Sequence, residues 1–247
     1  MDLGLAQKVF LVTGGSRGLG YAAAQALVAE GAQVVLAARD EAAVSAAARE
    51  LGCTGVAADL GDPAAAASLV DSCVSTYGRL DGGLVSVGGP PAGPALALTD
   101  EQWQAAFDSV FLGAVRVCRA VVDALPPEGG SLALVLSTSV KAPIGGLAAS
   151  NGLRPGLAML AKTMADELGP RNVRVNGLMP GRVDTDRVRE LDGPDPAVRQ
   201  GNEAGIPLRR YGQPAEFGQV AAFLLSPAAS YVTGAMIPVD GGALRAL

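Results

Sequence analysis

The run Thr13-Gly14-Gly15-Ser16-Arg17-Gly18-Leu19-Gly20 lies between an apolar stretch and an Ala-rich one. Its glycines allow a tight turn whose backbone N–H groups meet a pyrophosphate at a helix N-terminus. A turn that merely needs positive φ would account for one or two of these glycines and leave the others unexplained. The next apolar stretch ends in Ala37-Ala38-Arg39. At that point a carboxylate suits the free ribose hydroxyl of NAD, whereas a guanidinium suits the 2′-phosphate of NADP. Arg39, with Arg17 as a second positive charge, favours NADP (NADPH) as cofactor. Against this, Asp40 follows directly, and both arginines could be solvated surface charges. Histidine is absent from the chain, which removes His general bases, Ser-His-Asp chemistry and the common His-containing zinc sites. Cys53, Cys73 and Cys118 are scattered and odd in number, with no CxxC pair, so they read as small core residues of a reducing compartment.

These groups need a frame, and the apolar pattern supplies one. Short runs at Val9 to Val12, Val34 to Leu36, Gly55 to Ala58, Leu84 to Val87, Leu132 to Leu136, Val173 to Leu178 and Ala235 to Val239 predict strands. Between them, windows at Leu19 to Glu30, Glu41 to Leu51, Ala64 to Tyr77, Glu101 to Ala124, Ala149 to Leu168 and Ala215 to Leu225 predict helices. Alternation of this kind means right-handed βαβ units, and strands without a polar alternate face mean a sheet covered on both sides. The expected architecture is α/β: a single-domain, doubly wound Rossmann fold over residues 1–247, with a parallel sheet of seven strands and a variable substrate lid at about 184–212. The Pro- and Gly-dense stretches Gly88 to Pro94 and Asp192 to Pro196 read as loops at the edge of the sheet and not as domain boundaries.

The TGxxxGxG spacing of the first loop, together with further motifs, resembles the short-chain dehydrogenase/reductase family, in particular its 3-oxoacyl-carrier-protein reductases. The further motifs are Asp59-Leu60 after the third strand, Arg174-Val175-Asn176, Pro180-Gly181-Arg182-Val183-Asp184-Thr185, the run Ile206 to Pro214, Val232-Thr233-Gly234 and Val239-Asp240-Gly241-Gly242. The resemblance covers the whole chain. It implies that Asp59 contacts adenine, that Leu60, Gly88, Pro180, Gly181, Val183 and Thr185 line the same cofactor cleft, and that the chain assembles as a homotetramer or dimer. It also implies four catalytic positions: a Ser and a Tyr on the substrate carbonyl, a Lys four residues past the Tyr, and an Asn that holds a relay water.

This chain keeps one of the four. Ser139 follows the fifth strand as expected, but counting back from Lys162-Thr163-Met164-Ala165 puts Ser150 at the Tyr position and Arg154 at the Lys position. An ungapped count from Ser139 puts Gly152 there instead. Val110 stands at the Asn position, and Tyr21, Tyr77, Tyr211 and Tyr231 all lie elsewhere. Ser150 and Arg154 share one helix face, so both can reach a cleft that either one reaches. Arg154 keeps its charge and its donors but cannot release a proton near neutrality. Cofactor-holding duty therefore falls on Arg154 as well as catalysis. A purely structural account also exists, with Ser150 capping its helix and Arg154 preceding a first-turn Pro155.

The reading is an NADP-dependent oxidoreductase for a small carbonyl or alcohol substrate, with Ser139, Ser150 and Arg154 as its catalytic set. Two alternatives are a non-catalytic NADP-binding module, acting as sensor or partner subunit, and a non-redox reaction at the same site. With 24 acidic against 19 basic residues the net charge is −5, which argues against nucleic acid as a partner. No apolar run approaches the roughly 18 residues of a membrane span, and the first residues lack a leader pattern, so the expected location is cytoplasmic.

Overall fold

The computed structural model describes residues 2–246. Seven strands form one parallel sheet in the order β3-β2-β1-β4-β5-β6-β7. They are β1 (Val9–Thr13), β2 (Gln33–Ala38), β3 (Thr54–Ala57), β4 (Gly82–Val85), β5 (Gly130–Val135), β6 (Val173–Pro180) and β7 (Met236–Val239). All seven correspond to the predicted runs, shifted by one or two residues at their ends. The strand order reverses between β1 and β4, which opens a crevice at their C-terminal ends, the usual ligand position of such sheets. Thr13 ties that crevice together: its hydroxyl donates to the Ser86 carbonyl at 2.9 Å and accepts from the Ser86 N–H at 2.9 Å.

Both faces of the sheet are covered. On one side lie α1 (Gly18–Ala29), α2 (Glu41–Leu51) and α9 (Pro214–Leu225), whose Leu27, Val44 and Phe217 join Phe10, Leu36 and Leu178 in a buried cluster. On the other side α3 (Ala65–Tyr77), α5 (Gly113–Ala124) and α6 (Ala148–Leu168) bury Leu69, Val117, Val121 and Leu157 against Leu11, Leu132 and Val175. The predicted helix Glu101 to Ala124 is not continuous. α4 (Asp100–Ala106) passes through a π-helical turn, Phe107–Leu112, before α5 begins. Such a turn adds a residue to the helical ladder, and periodicity carries no signal for it.

Two elements were not legible as helices, α7 (Asp186–Asp192) and α8 (Pro196–Gly205), both within the predicted lid stretch. Their apolar content is too low for a periodic stripe. Their start signals are nonetheless present: Thr185 caps α7 through the Val188 N–H, and Asp195 caps α8 through the Ala197 N–H, with Pro196 in the first turn. Most of the charges in this stretch are spent on one another. Arg189 pairs with Asp184 at 2.9 Å and Asp186 at 3.0 Å, Arg199 with Asp184 at 3.2 Å, and Arg182 with Asp192. Tyr211, 2% exposed, donates to Asp192 at 2.6 Å, accepts from Asn202 at 3.0 Å and lies 4.5 Å beneath the Arg199 guanidinium. Burial tends to raise the Asp184 carboxyl, but Arg199 and Arg189 outweigh it and hold the group below its ordinary range.

Candidate active site

The glycine loop joins β1 to α1, and its backbone explains its composition. Gly14 and Gly18 have φ of 59° and 61°, in the left-handed region that side chains resist. A Cβ on Gly14 would lie 2.6 Å from the Ser86 carbonyl oxygen, and one on Gly20 would lie 2.3 Å from the Gly14 carbonyl oxygen. The loop can therefore lie flat across the crevice only without side chains at these points. Arg17 occupies the N-cap of α1 and makes no side-chain cap bond, and the first turn holds no acidic residue. Its N–H groups and the positive end of the helix dipole thus remain available to an anion. Ser16 and Leu19 flank this end, the latter packed partly into the core.

The remaining cofactor candidates surround the same crevice. Arg39 and Arg17 are exposed and their side chains make no hydrogen bond or ion pair with any described residue, while the Asp40 carboxylate is occupied in capping α2 through the Ala43 N–H at 2.9 Å. Arg39 reaches over the loop after β4, its Nη2 4.0 Å from where a Cβ on Gly88 would stand. Asp59 turns its own loop by accepting from the Gly61 N–H at 3.0 Å, and Leu60 packs beneath Gly113. Gly181 accommodates Asp240 at a distance that a Cβ would reduce to 2.6 Å. Pro180 ends β6, buried Val183 bridges to Gly212, and the Thr185 methyl comes within 3.6 Å of the Cβ position of Gly18. A diphosphate-bearing dinucleotide fits this set: glycines where it must approach backbone, an uncapped helix end, and two unpaired guanidinium groups at the rim.

The structure brings Ser150, and not Gly152, beside Ser139. Ser139, in a single 3-10 turn held by the Ser139 N–H to Ser137 hydroxyl bond at 3.1 Å, places its Oγ 3.2 Å from Ser150 Oγ. Gly152 points elsewhere, its Cβ position 3.3 Å from the Trp103 ring. Arg154 lies one turn past Ser150, and its Nη1 donates to the Val135 carbonyl at 2.7 Å. Ser139, Ser150 and Arg154 are 4%, 6% and 7% exposed. Burial pushes the Arg154 guanidinium down to about 10, so it stays charged at neutral pH. Val110, on the π-helical turn, is 2% exposed and belongs to the core.

The purely structural account of the pair does not match the helix. α6 starts at Ala148 with Leu147 as its N-cap, so Ser150 is not the cap, and Pro155 lies in the helix interior. There it lacks the N–H that would bond the Asn151 carbonyl. Asn151 instead clamps the preceding loop through its side chain, with both polar atoms on Ile144, at 3.1 and 2.9 Å. Sequence reasoning missed this clamp. It also missed Arg187, which donates to the Pro90 carbonyl at 3.0 Å and so ties α7 to the loop after β4. Burial pushes the Cys53 thiol up to about 11 and those of Cys73 and Cys118 up to about 12, away from thiolate character.

A family model described as Enoyl-(Acyl carrier protein) reductase matches residues 14–243. The chain is 36% identical to the 3-oxoacyl-[acyl-carrier-protein] reductase MabA of Mycobacterium tuberculosis, over 94% of this chain and 91% of that protein. It is 34% identical to human dehydrogenase/reductase SDR family member 4, over 96% of this chain and 88% of that protein. Among solved structures it resembles the L-sorbose reductase of Gluconobacter frateurii in complex with NADPH and L-sorbose, at 30% identity and a TM-score of 0.93 over the full length of both chains. Sheet order, glycine loop and these relatives agree: the chain belongs to the short-chain dehydrogenase/reductase family of oxidoreductases.

Proposed function

We propose that the protein is an NADP-dependent oxidoreductase acting on a carbonyl or alcohol group through an atypical site of Ser139, Ser150 and Arg154. The observation that carries this reading is the 3.2 Å approach of the two buried hydroxyls with a buried guanidinium one turn away. Two neutral donors and a cation converge there, which is what an oxygen gaining negative charge requires. When bound, NADPH supplies a hydride to the carbonyl carbon and leaves as NADP⁺. Ser139 and Ser150 donate hydrogen bonds to the carbonyl oxygen and fix its orientation, and the positive charge of Arg154 one turn away favours a reactant polarised at this point. Neither a serine hydroxyl nor a guanidinium is an acid near neutrality, so the proton that completes the alcohol comes from water reached through Ser150. The lid is the stretch 184–212, over the crevice, and the compartment is the cytoplasm.

NADP preference rests on Arg39 and Arg17, whose side chains have no partner among the described residues. Arg39→Ala is expected to weaken NADPH binding about tenfold or more, from the loss of a charge-assisted pair of roughly 1.5–3 kcal/mol, and to leave NADH binding nearly as it was. Calorimetric titration checks this, and equal affinity of the unaltered protein for the two nucleotides would count against it.

Assembly is part of the same reading. Of the apolar residues on α4 to α6, Leu157 is core, while Phe107 is 37% and Met159 70% exposed, and the Phe107 ring stacks on Phe111 at 5.3 Å. Apolar surface of this kind on paired helices fits a homo-oligomer interface. Light scattering is expected to give a dimer or tetramer, and a 24.7 kDa species at micromolar concentration would contradict it.

A further inference from the structure

Arg154 is a buried cation without an anion. Its Nη1 is bonded to a neutral carbonyl, that of Val135, and no ion pair among the described residues includes it. Placing a guanidinium in a dry environment without a countercharge is costly unless some other group neutralises it. Its other side-chain N–H groups have no partner among the described residues either. They are nevertheless not sealed in: among the described residues the one side-chain polar atom that is both enclosed and unpartnered is the Tyr21 hydroxyl. With 7% of the residue still exposed, the Arg154 side chain is enclosed but not sealed, one helix turn from Ser150. The anionic groups of a dinucleotide have their own fittings at the glycine loop and at Arg39, and the ribose hydroxyls that Arg154 is expected to hold carry no charge, so its countercharge is sought on the other reactant.

Resting on the oxidoreductase reading above, we infer that the substrate carries a carboxylate close to the reacting carbonyl, as a short 2- or 3-oxo acid or the matching hydroxy acid does, and that Arg154 is the residue that reads it. A guanidinium edge and a carboxylate make two parallel hydrogen bonds, a geometry that a neutral ester or amide cannot match. Side chains at i and i+4 start about 5–6 Å apart on one face. Ser150 with Ser139 can thus hold the carbonyl oxygen while Arg154 holds a carboxylate one or two carbons away. The reaction balances as ordinary reduction: the oxo acid takes a hydride at carbon from NADPH and a proton at oxygen from water, and gives a hydroxy acid and NADP⁺.

The test compares matched pairs, 2-oxobutyrate with its methyl ester and 3-oxobutyrate with its ethyl ester, as substrates of the purified protein with NADPH. One of the two acids is expected to exceed its ester in kcat/KM by roughly ten- to a hundredfold, the worth of a charge-assisted pair. Arg154→Gln should bring that ratio toward unity, and Arg154→Lys should keep part of it. A binding arm needs no turnover. Oxamate, an unreactive analogue, is expected to bind the NADPH-loaded protein in a calorimetric titration, whereas the neutral propionamide is not. This comparison uses the unaltered protein and stands even if the Arg154 variants fail to fold. Acids and esters reduced alike, or a ratio that survives Arg154→Gln, would overturn the inference and leave the oxidoreductase reading intact. Failure to reduce any acid, ester or simple ketone would overturn that reading, and oxamate binding would then decide the inference alone, against it if oxamate does not bind.

Discussion

Replacing Ser139 by alanine is expected to lower kcat by about 10²–10³-fold, the usual cost of removing one preorganised donor from an oxygen that becomes negative in the transition state. The loss should be large because little stands behind Ser139. Val110 carries no polar group, and the buried hydroxyl next to Ser139 is that of Ser150, 3.2 Å away. NADPH affinity should stay close to that of the unaltered protein, since the glycine loop and Arg39 lie on other elements. The pH profile gives a second readout. A phenol at this position would titrate, whereas burial lowers the Arg154 guanidinium to about 10 and leaves it charged below that. The rate should therefore be nearly flat from about pH 6 to 9 and fall only at the alkaline end, as the cation is lost through its lowered pKa. Stopped absorbance assays at 340 nm check both. If Ser139→Ala turns over as fast as the unaltered protein, Ser139 is not the donor to the reacting oxygen; if no carbonyl compound is reduced while NADPH still binds, the chain is a nucleotide-binding module and not a catalyst.

Most of the frame could be read from the chain because the five inner strands are largely apolar runs buried on both sides, and such runs have few other homes; the partly exposed edge strands β3 and β7 are the short ones. The glycine loop could be read for a related reason: its backbone meets other backbone, and only glycine permits that. The catalytic residues were harder. Ser139 could be placed at the end of β5, but whether Ser150 or Gly152 faced it depended on the path of the loop from Lys141 to Leu147. That path is set by the Asn151 clamp on Ile144, a contact between side chain and backbone that leaves no periodic trace. The charges of the lid likewise carry no local sign of their partners. Asp184, Asp186, Arg189 and Asp192 look alike as a sequence run whether they meet solvent, ligand or each other; three-dimensional pairing joins Arg189 to Asp184 and Asp186 and gives Asp192 to Arg182. Arg187 stands apart from that group, since its bond to Pro90 spans two elements far apart in the chain. The π-helical turn at Phe107–Leu112 was not legible at all, because both flanking helices already satisfy the apolar pattern.

The glycine loop gives the other large effect. Gly20 sits in the first turn of α1, where a Cβ would stand 2.3 Å from the Gly14 carbonyl oxygen, 2.8 Å from its carbon and 3.1 Å from the Thr13 carbonyl oxygen. All three are backbone atoms of the loop itself, so no side chain can swing aside to make room. In Gly20→Ala either α1 backs away from the loop or Gly14 moves, and each disturbs the N–H groups that would meet a pyrophosphate. Overpacking of this kind costs about 1–3 kcal/mol of stability. A comparable loss of binding free energy means roughly a hundredfold in NADPH affinity. The contrasting variant is Gly201→Ala in α8, where nothing lies within 4 Å of the added methyl. Removing a glycine from a helix interior should there raise stability by roughly 0.5–1 kcal/mol. Thermal denaturation with and without NADPH separates the two. At a hundredfold excess over Kd the nucleotide should stabilise the unaltered protein and Gly201→Ala by about 2.7 kcal/mol. Gly20→Ala should melt lower and show little of that gain at the same NADPH concentration, and a full gain in Gly20→Ala would mean that the nucleotide is not held by this loop.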